Sequence, residues 1–303
     1  MRLTFTKIFF LALAAAAAVS APFLPASYAG DAELRAAPLN PAFLRYRAAR
    51  AVSIAAAPPA TSAGRVLGHR PSPVMPVAGP APAQTGVSAV GAYQVSYDLR
   101  NLNKVTPVKD QGACGDCWAF AGMSSLESYF KPMEALDLSE ADLDAASGFD
   151  FGSCNGGNDH MTAAYLARWS GPLVEGSSAV VKHAQNMIFL APRASATDND
   201  RIKGALQTYG ALTGSFHYDE PYYNPVTSSF FADISTNAFS SNHEVTIVGW
   251  DDNYPRASFS ALPPGDGAFL CKNSWGTGWG EAGFMWIKYG CSSVGYGATR
   301  CSF

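Results

Sequence analysis

The sequence predicts an α+β protein whose compact part has a helical first half and a β-rich second half. Three observations carry this. Helical spacing of apolar residues dominates from Trp118 to Tyr209. Runs of β-branched and aromatic residues between Gly, Pro and Asn turns dominate from Ala211 onward. Helices followed by strands, rather than alternating with them, mark segregated layers.

The elements follow in order. Compact sequence starts near Tyr93. Asp110 to Cys117 is glycine-rich and reads as a loop. Trp118 to Phe130 is a predicted helix stopped by Pro132. Leu138-Ser139-Glu140 opens another, with Ser139 as its cap. Gly152 to Gly157 reads as a turn and His160 to Trp169 as a helix. Asp200 to Tyr209 is a helix begun at Asp198 or Asn199 and ended by Gly210. Predicted strands cover Ala211 to Tyr218, Glu244 to Trp250, Ala268 to Lys272 and Gly283 to Tyr289. A cleft between the two halves is a natural place for a site.

The first ninety residues differ. Arg2 and Lys7 precede an apolar run from Ile8 to Val19, and Ser27-Tyr28-Ala29 offers small residues for cleavage, so 1–29 reads as a signal peptide. The alternative is a membrane anchor, since Ile8 to Gly30 is nominally long enough to span, although Pro22 and Pro25 interrupt it. The expected destination is extracellular or periplasmic rather than a lysosome-like compartment, with no stable membrane insertion. Leu39 to Val52 could form one short helix. Pro58 to Gln84 is rich in Pro, Ala, Gly and Ser and reads as an extended linker with little to bury.

A net charge of −3 over 303 residues argues against a nucleic-acid surface. The six cysteines, Cys114, Cys117, Cys154, Cys271, Cys291 and Cys301, all lie beyond residue 113, in a chain whose expected compartment permits disulfides.

The chemistry centres on Gln111-Gly112-Ala113-Cys114-Gly115-Asp116-Cys117-Trp118. Cys117 stands at a loop-to-helix junction, where the helix N-terminus favours a thiolate. A thiolate nucleophile needs a cationic partner that can also protonate a leaving amine, and histidine does both. Of five histidines, His69 falls in the linker, His183 in an unpatterned connection, and His160 and His217 have no evident orienting partner. His243 opens a strand. Asn273 follows another, and its side-chain oxygen can hold an imidazole ring.

Four blocks then carry a resemblance to the papain family of cysteine peptidases, in the manner of its microbial members. They are VKDQGACGDCWAF (Val108 to Phe120), LSE with a later SCNGG (Leu138 to Gly157), NHEVTIVGWDDN (Asn242 to Asn253) and KNSWGTGWGEAGFMWI (Lys272 to Ile287). The resemblance implies a two-lobed papain-like fold over 93–303 and a propeptide with its linker over 30–92. It implies Cys117 as nucleophile, His243 as acid and base, Asn273 as the residue orienting His243, and Gln111 in the oxyanion hole. Trp275 covers the Asn–His contact, and Gly156 and Gly157 pair with extended substrate. Cys114 and Cys154 are implied to be bridged, a reading preferred over metal binding.

Glu244, directly after His243, falls where the family lines the pocket for the substrate residue two before the scissile bond. It either favours a basic residue there or pairs internally, and both readings stand. A Cys291–Cys301 bridge with Cys271 free is a further expectation. The implied activity is endopeptidase cleavage of proteins or peptides, without metal or cofactor, by a monomer whose propeptide blocks the cleft. The alternatives are a non-inhibitory stalk for that segment, and a binding-only protein or an acyl-transfer enzyme for the whole.

Overall fold

A computed structural model describes residues 41, 44–45, 58–72, 93–149, 152–191, 195, 198–232, 241–291 and the backbone of 299–302. The chain divides into two compact units, Met1–Pro41 and Ala42–Phe303, and the elements named below all belong to the second. Pro41, Leu44 and Arg45 have helical backbone. The rest of the helix expected over 39–52, and the expected signal peptide, lie outside the described residues.

Beyond these, four α-helices are present among the described residues: α1 (Cys117–Phe130), α2 (Glu140–Ala146), α3 (Asp159–Ala167) and α4 (Asp200–Tyr209). The strands are β1 (Ser96–Asp98), β2 (Asn186–Phe189), β3 (Leu212–Phe216), β4 (Tyr223–Asn224), β5 (Ser229–Phe230), β6 (His243–Asp251), β7 (Ala268–Lys272), β8 (Phe284–Lys288) and β9 (Thr299–Ser302). They form one sheet in the order β2-β9-β3-β6-β7-β8-β5-β4, with β1 added to β6. All pairs are antiparallel except β5 with β8.

Two hydrophobic cores give the molecule its two lobes. The helical core gathers Trp118, Met123, Leu126, Leu138, Leu143, Met161 and Tyr165. The sheet core gathers Leu206, Phe216, Ile247, Trp250, Phe269, Leu270 and Ile287, among others. Helix α1 is buried along nearly its whole length, as a helix apolar on most sides must be. Strand β6 is buried on both faces from His243 to Trp250, which its Val-Thr-Ile-Val centre suits. A Cβ on Gly249 would come within 2.3 Å of the Tyr97 carbonyl oxygen, so only glycine lets β1 lie there.

Local chemistry sets the helix starts. Ser139 accepts from the Asp142 N–H and caps α2. Asn158 accepts from the N–H groups of His160 and Met161, so α3 starts one residue earlier than its apolar spacing predicts. Gly210, at φ 97, ends α4.

A polar seam joins the lobes beneath the cleft. Lys272, the last residue of β7, donates to Thr106 Oγ1 at 2.9 Å and to Ser124 Oγ, on α1, at 3.1 Å. Thr106 donates in turn to the Glu127 carboxylate, whose other oxygen accepts the Leu138 N–H at 2.8 Å. Glu127, on α1, is almost wholly buried. Removing it strands a buried N–H and a buried ammonium, and breaking a buried charged network typically costs about 3–5 kcal/mol. Glu127→Ala is therefore expected to lower unfolding free energy by about 3 kcal/mol in denaturant titrations. A loss below about 1 kcal/mol would contradict this role for the seam.

Candidate active site

Helix α1, which begins at Cys117, packs against strand β6, which begins at His243. Cys117 is fully buried, and its sulfur receives the backbone N–H groups of Glu244 and Gly68. His243 is also fully buried. Its Nε2 lies 2.8 Å from Asn273 Oδ1, which also accepts the Ser274 N–H at 2.9 Å. The Asn273 oxygen is thus an acceptor, and His243 Nε2 carries the proton. That tautomer leaves Nδ1 as a base, and Nδ1 has no hydrogen-bond partner among the described residues. Trp275 stacks on the imidazole with ring centroids 4.6 Å apart, shielding the His–Asn bond from water.

Gln111 lies on the other side of the cysteine. Its Oε1 accepts from Ser274 Oγ at 2.5 Å, which fixes the amide plane. Its Nε2 then donates to the Cys114 carbonyl at 2.6 Å and to the Val66 carbonyl at 3.0 Å. Cys114 and Cys154 form a disulfide that ties the cysteine loop to the turn bearing Gly156 and Gly157. Cys271 is a buried free thiol on β7. Cys291 Sγ accepts the Ala232 N–H at 2.9 Å and donates to the Ala232 carbonyl at 3.4 Å, while the Cys301 side chain, and with it the expected Cys291–Cys301 bridge, lies outside the described residues.

Residues 58–72 are not the unburied linker their composition predicts. A hairpin joins Ala60 to Val66. Ser62 anchors it to Glu220, with Oγ donating at 2.7 Å, and Arg65 anchors it to Asp110. The chain then passes over the cysteine. Gly157 N–H donates to the Gly68 carbonyl at 3.0 Å, and Arg70 N–H donates to the Gly157 carbonyl at 2.8 Å. His69 N–H donates to the Asn242 carbonyl at 2.9 Å. A Cβ on Gly68 would sit 1.9 Å from the Gly115 oxygen, so this crossing needs glycine. Composition reads what a segment can bury by itself; here the burial is supplied by a groove already built by the rest of the chain.

His69, assigned by composition to the linker, is buried with Nδ1 2.7 Å from Glu244 Oε2. Glu244 therefore pairs within the chain. Gly156 approaches the same segment, since its added Cβ would meet the Gly68 oxygen at 2.6 Å. Trp275 borders a neighbouring groove of about 620 Å³ with Tyr218, Glu220 and Trp279. Of the other residues that hold the segment's side chains, Asp110 lies inside the Val108 to Phe120 block and Glu220 carries no motif of its own. Asp159 could have been noticed only as a carboxylate adjoining the Gly-Gly-Asn turn.

Burial governs the electrostatics of the site. Desolvation pushes the Cys117 thiol well above its ordinary value, the Glu244 and Asp116 carboxyls add to the rise, and the two backbone donors oppose it. Burial lowers the His243 pKa to about 4, against the hydrogen bond to Asn273. The helix N-terminus favours a thiolate, but with 58–72 in place desolvation outweighs it. Thiol and imidazole are both uncharged.

A family profile described as "Papain family cysteine protease" matches residues 93–302. A cysteine protease of Blomia tropicalis is 26% identical over 69% of this chain and 65% of its own length. The viral cathepsin of Bombyx mori nuclear polyhedrosis virus is 31% identical over 68% of this chain and 62% of its own. The matches thus span only about half to two thirds of these curated relatives, down to 53% for the viral cathepsin of Heliothis zea nuclear polyhedrosis virus. Among solved structures, procathepsin L2 from Tenebrio molitor larval midgut superposes with a TM-score of 0.58 at 26% identity, covering 71% of this chain and 70% of that one. The cysteine protease and lectin-like domains of a surface layer associated protein of Clostridium difficile also give 0.58, at 27% identity, covering 70% and 52%.

Alkylation reads the burial of the thiol. Each pKa unit above the solution pH costs about tenfold in thiolate. Iodoacetamide at pH 7 is therefore expected to modify Cys117 on the order of 100-fold more slowly in the full chain than after proteolytic release of 58–72. Equal rates would contradict the buried, protonated thiol.

Proposed function

The chain belongs to the papain family of cysteine proteases, and from that membership we propose that it is an exported cysteine endopeptidase made as a precursor. In this reading residues 1–29 direct export, 30–92 form a propeptide, and 93–303 form the peptidase domain. The observation that carries the proposal is that an extended peptide of the same chain already lies along the cleft. It engages the groups a substrate would need: the Gln111 amide on a peptide carbonyl, the Gly157 backbone, and the Asn242 carbonyl.

Release of 58–72 rehydrates the cleft and lets the proton pass from Cys117 to His243 Nδ1, giving a thiolate and an imidazolium. The thiolate attacks the scissile carbonyl carbon. Negative charge moves to the carbonyl oxygen, which Gln111 Nε2–H and the Cys117 backbone N–H receive. As the tetrahedral intermediate collapses, His243 gives its proton to the leaving amine and a thioester remains on Cys117. Water, deprotonated by His243, then attacks the thioester and frees the acid. Asn273 holds the ring so that Nδ1 faces the sulfur through both steps, and Trp275 keeps water from that bond. With 58–72 in the cleft no substrate can enter and the pair is uncharged, so the segment acts as an internal inhibitor. Procathepsin neighbours support the precursor organisation, and the cathepsin and surface-layer relatives support export. No helix among the described residues is long and apolar enough to cross a membrane.

The test is hydrolysis of fluorogenic peptides under reducing conditions after proteolytic processing. Cys117→Ala is expected to lose at least about 10³-fold in kcat, and Gln111→Ala about 10²–10³-fold. Processed protein that alkylates at Cys117 yet cleaves no peptide from acidic to neutral pH would overturn the proposal.

A further inference from the structure

Asp116 stands between the disulfide loop and the nucleophile. It is the residue before Cys117 and occupies the N-cap position of α1. An aspartate there normally accepts an N–H of the first turn, yet the Asp116 side chain makes no such bond. It is only 7% exposed, and its Oδ1 is buried with no hydrogen-bond partner among the described residues. Asp144, on α2, acts on it as a neighbouring like charge. Asp144 is also buried, but its Oδ2 accepts the Cys154 N–H at 2.8 Å and the Ser153 hydroxyl. The two carboxyls are thus unequally supplied: Asp144 has donors suited to a charged oxygen, and the free oxygen of Asp116 has none.

Burial and the neighbouring charge both disfavour ionisation of Asp116. Its pKa is raised to about 7, burial being the larger cause, against the pull of its own backbone N–H. The group is neutral in acid and gains a charge as pH rises through neutrality. That charge arises at the same helix end that favours the Cys117 thiolate. A helix N-terminus carries only about half a positive charge, so a second anion there competes with the first. Asp116 is accordingly among the groups that raise the Cys117 pKa. Three other titratable groups surround the sulfur. Glu244, also a like-charge neighbour of Cys117, is paired with His69 and in contact with Asp159, and burial raises its pKa to about 8. His243, on β6, is neutral in the full chain down to about pH 4. The bridged Cys114 and Cys154 do not titrate.

We propose that Asp116 sets the alkaline limit of catalysis by Cys117: neutral, it leaves the helix N-terminus to the thiolate, and ionised, it competes for that end. It acts through Cys117 and is a positioning residue rather than a catalytic one. The proposal rests on the peptidase reading for the reaction it limits, while the coupling between carboxyl and thiol belongs to the chain whatever its substrate. The coupling is reciprocal, so a thiolate on Cys117 also helps Asp116 keep its proton.

The experiment uses the full chain clipped by limited proteolysis. Iodoacetamide alkylation of Cys117 is followed from pH 5 to 8.5 in the wild type and in Asp116→Asn, which keeps the shape and removes the charge. The ratio of variant to wild-type rate is expected to rise at least about threefold across that range, the effect of half a pKa unit on the thiolate. A flat or falling ratio would overturn the proposal, since a purely structural role changes rates alike at every pH. Asp116→Ser is read in the same way, so a poorly folding Asn variant does not leave the question open.

Carbon-13 shifts of the Asp116 carboxyl report its titration directly. The midpoint is expected near neutrality in the wild type and lower in Cys117→Ala, which forms no thiolate. A midpoint at the ordinary value of about 4, or one unmoved by Cys117→Ala, would overturn the coupling. With fluorogenic peptides, the alkaline limb of kcat/KM is expected to extend to higher pH in Asp116→Asn. Cleavage whose alkaline limb is the same in both proteins would overturn this inference alone. A protein that shows the alkylation ratio yet cleaves no peptide would overturn the peptidase reading and leave the coupling standing.

Discussion

Helix α1 lies against strand β6, and the seam beneath them locks that packing. Cys117 begins the helix and His243 begins the strand, so the position of one against the other is set by two core-forming elements rather than by flexible loops. Thr246 reaches from β6 to the Ala121 carbonyl on α1. Lys272 reaches from β7 to Ser124. The residue after Lys272 is Asn273, so the same seam that joins the lobes also sets the distance from Asn273 to His243. A site built across two cores gains precision from both. It also leaves a cleft, because the lobes are covered on their buried faces and open only where the helix and strand begin.

That cleft explains why one segment can control the whole site. Residues 58–72 add little core of their own, yet they lie against the Cys117 thiol and the Glu244 carboxyl at a site where thiol, imidazole and carboxyls are all buried. Each of these groups responds to burial in the direction that favours its neutral form. In the proposed mechanism the uncharged thiol–imidazole pair is the resting state, and the thiolate–imidazolium pair appears only when water returns. Steric blockage and electrostatic silencing then have a common cause. The anchors are distributed: Glu220 and Asp110 hold the hairpin, Gly157 and Asn242 hold the crossing, and Glu244 holds His69.

The main framework could be read from the sequence because it is made of long, strongly patterned elements. Helix α4 and strand β7 have the limits that their apolar residues and flanking turns indicate, α1 starts one residue earlier, and β6 is one residue longer at each end. The short strands β2, β4, β5 and β9 were not legible. Two- to four-residue strands carry no alternation, and their pairing is decided by tertiary neighbours. β1 escaped for a different reason, since it precedes the helices and joins the sheet only because Gly249 lets it approach.

At the site, the Cys, His, Asn and Gln positions were visible in motifs. The depth of the cleft's occupant was not. Pro58 to Gln84 has the composition of a linker with little to bury, and His69 falls within it. What the composition missed is that a weakly apolar segment can be buried by backbone pairing in a groove built by other residues. Asp159 was hidden because its partner, Glu244, lies 85 positions away.

The charge state of His243 is the most direct measure of this account. Nitrogen-15 chemical shifts of its imidazole, followed from pH 3.5 to 8 in the full chain and again after proteolytic release of 58–72, report it without reference to any substrate. The account predicts a neutral ring down to about pH 4 while the segment is in place, with the proton on Nε2. After release it predicts a ring that stays protonated into the neutral range. A His243 already protonated at pH 7 in the full chain, or one whose titration is unchanged by release, would contradict the claim that the segment silences the site by burial.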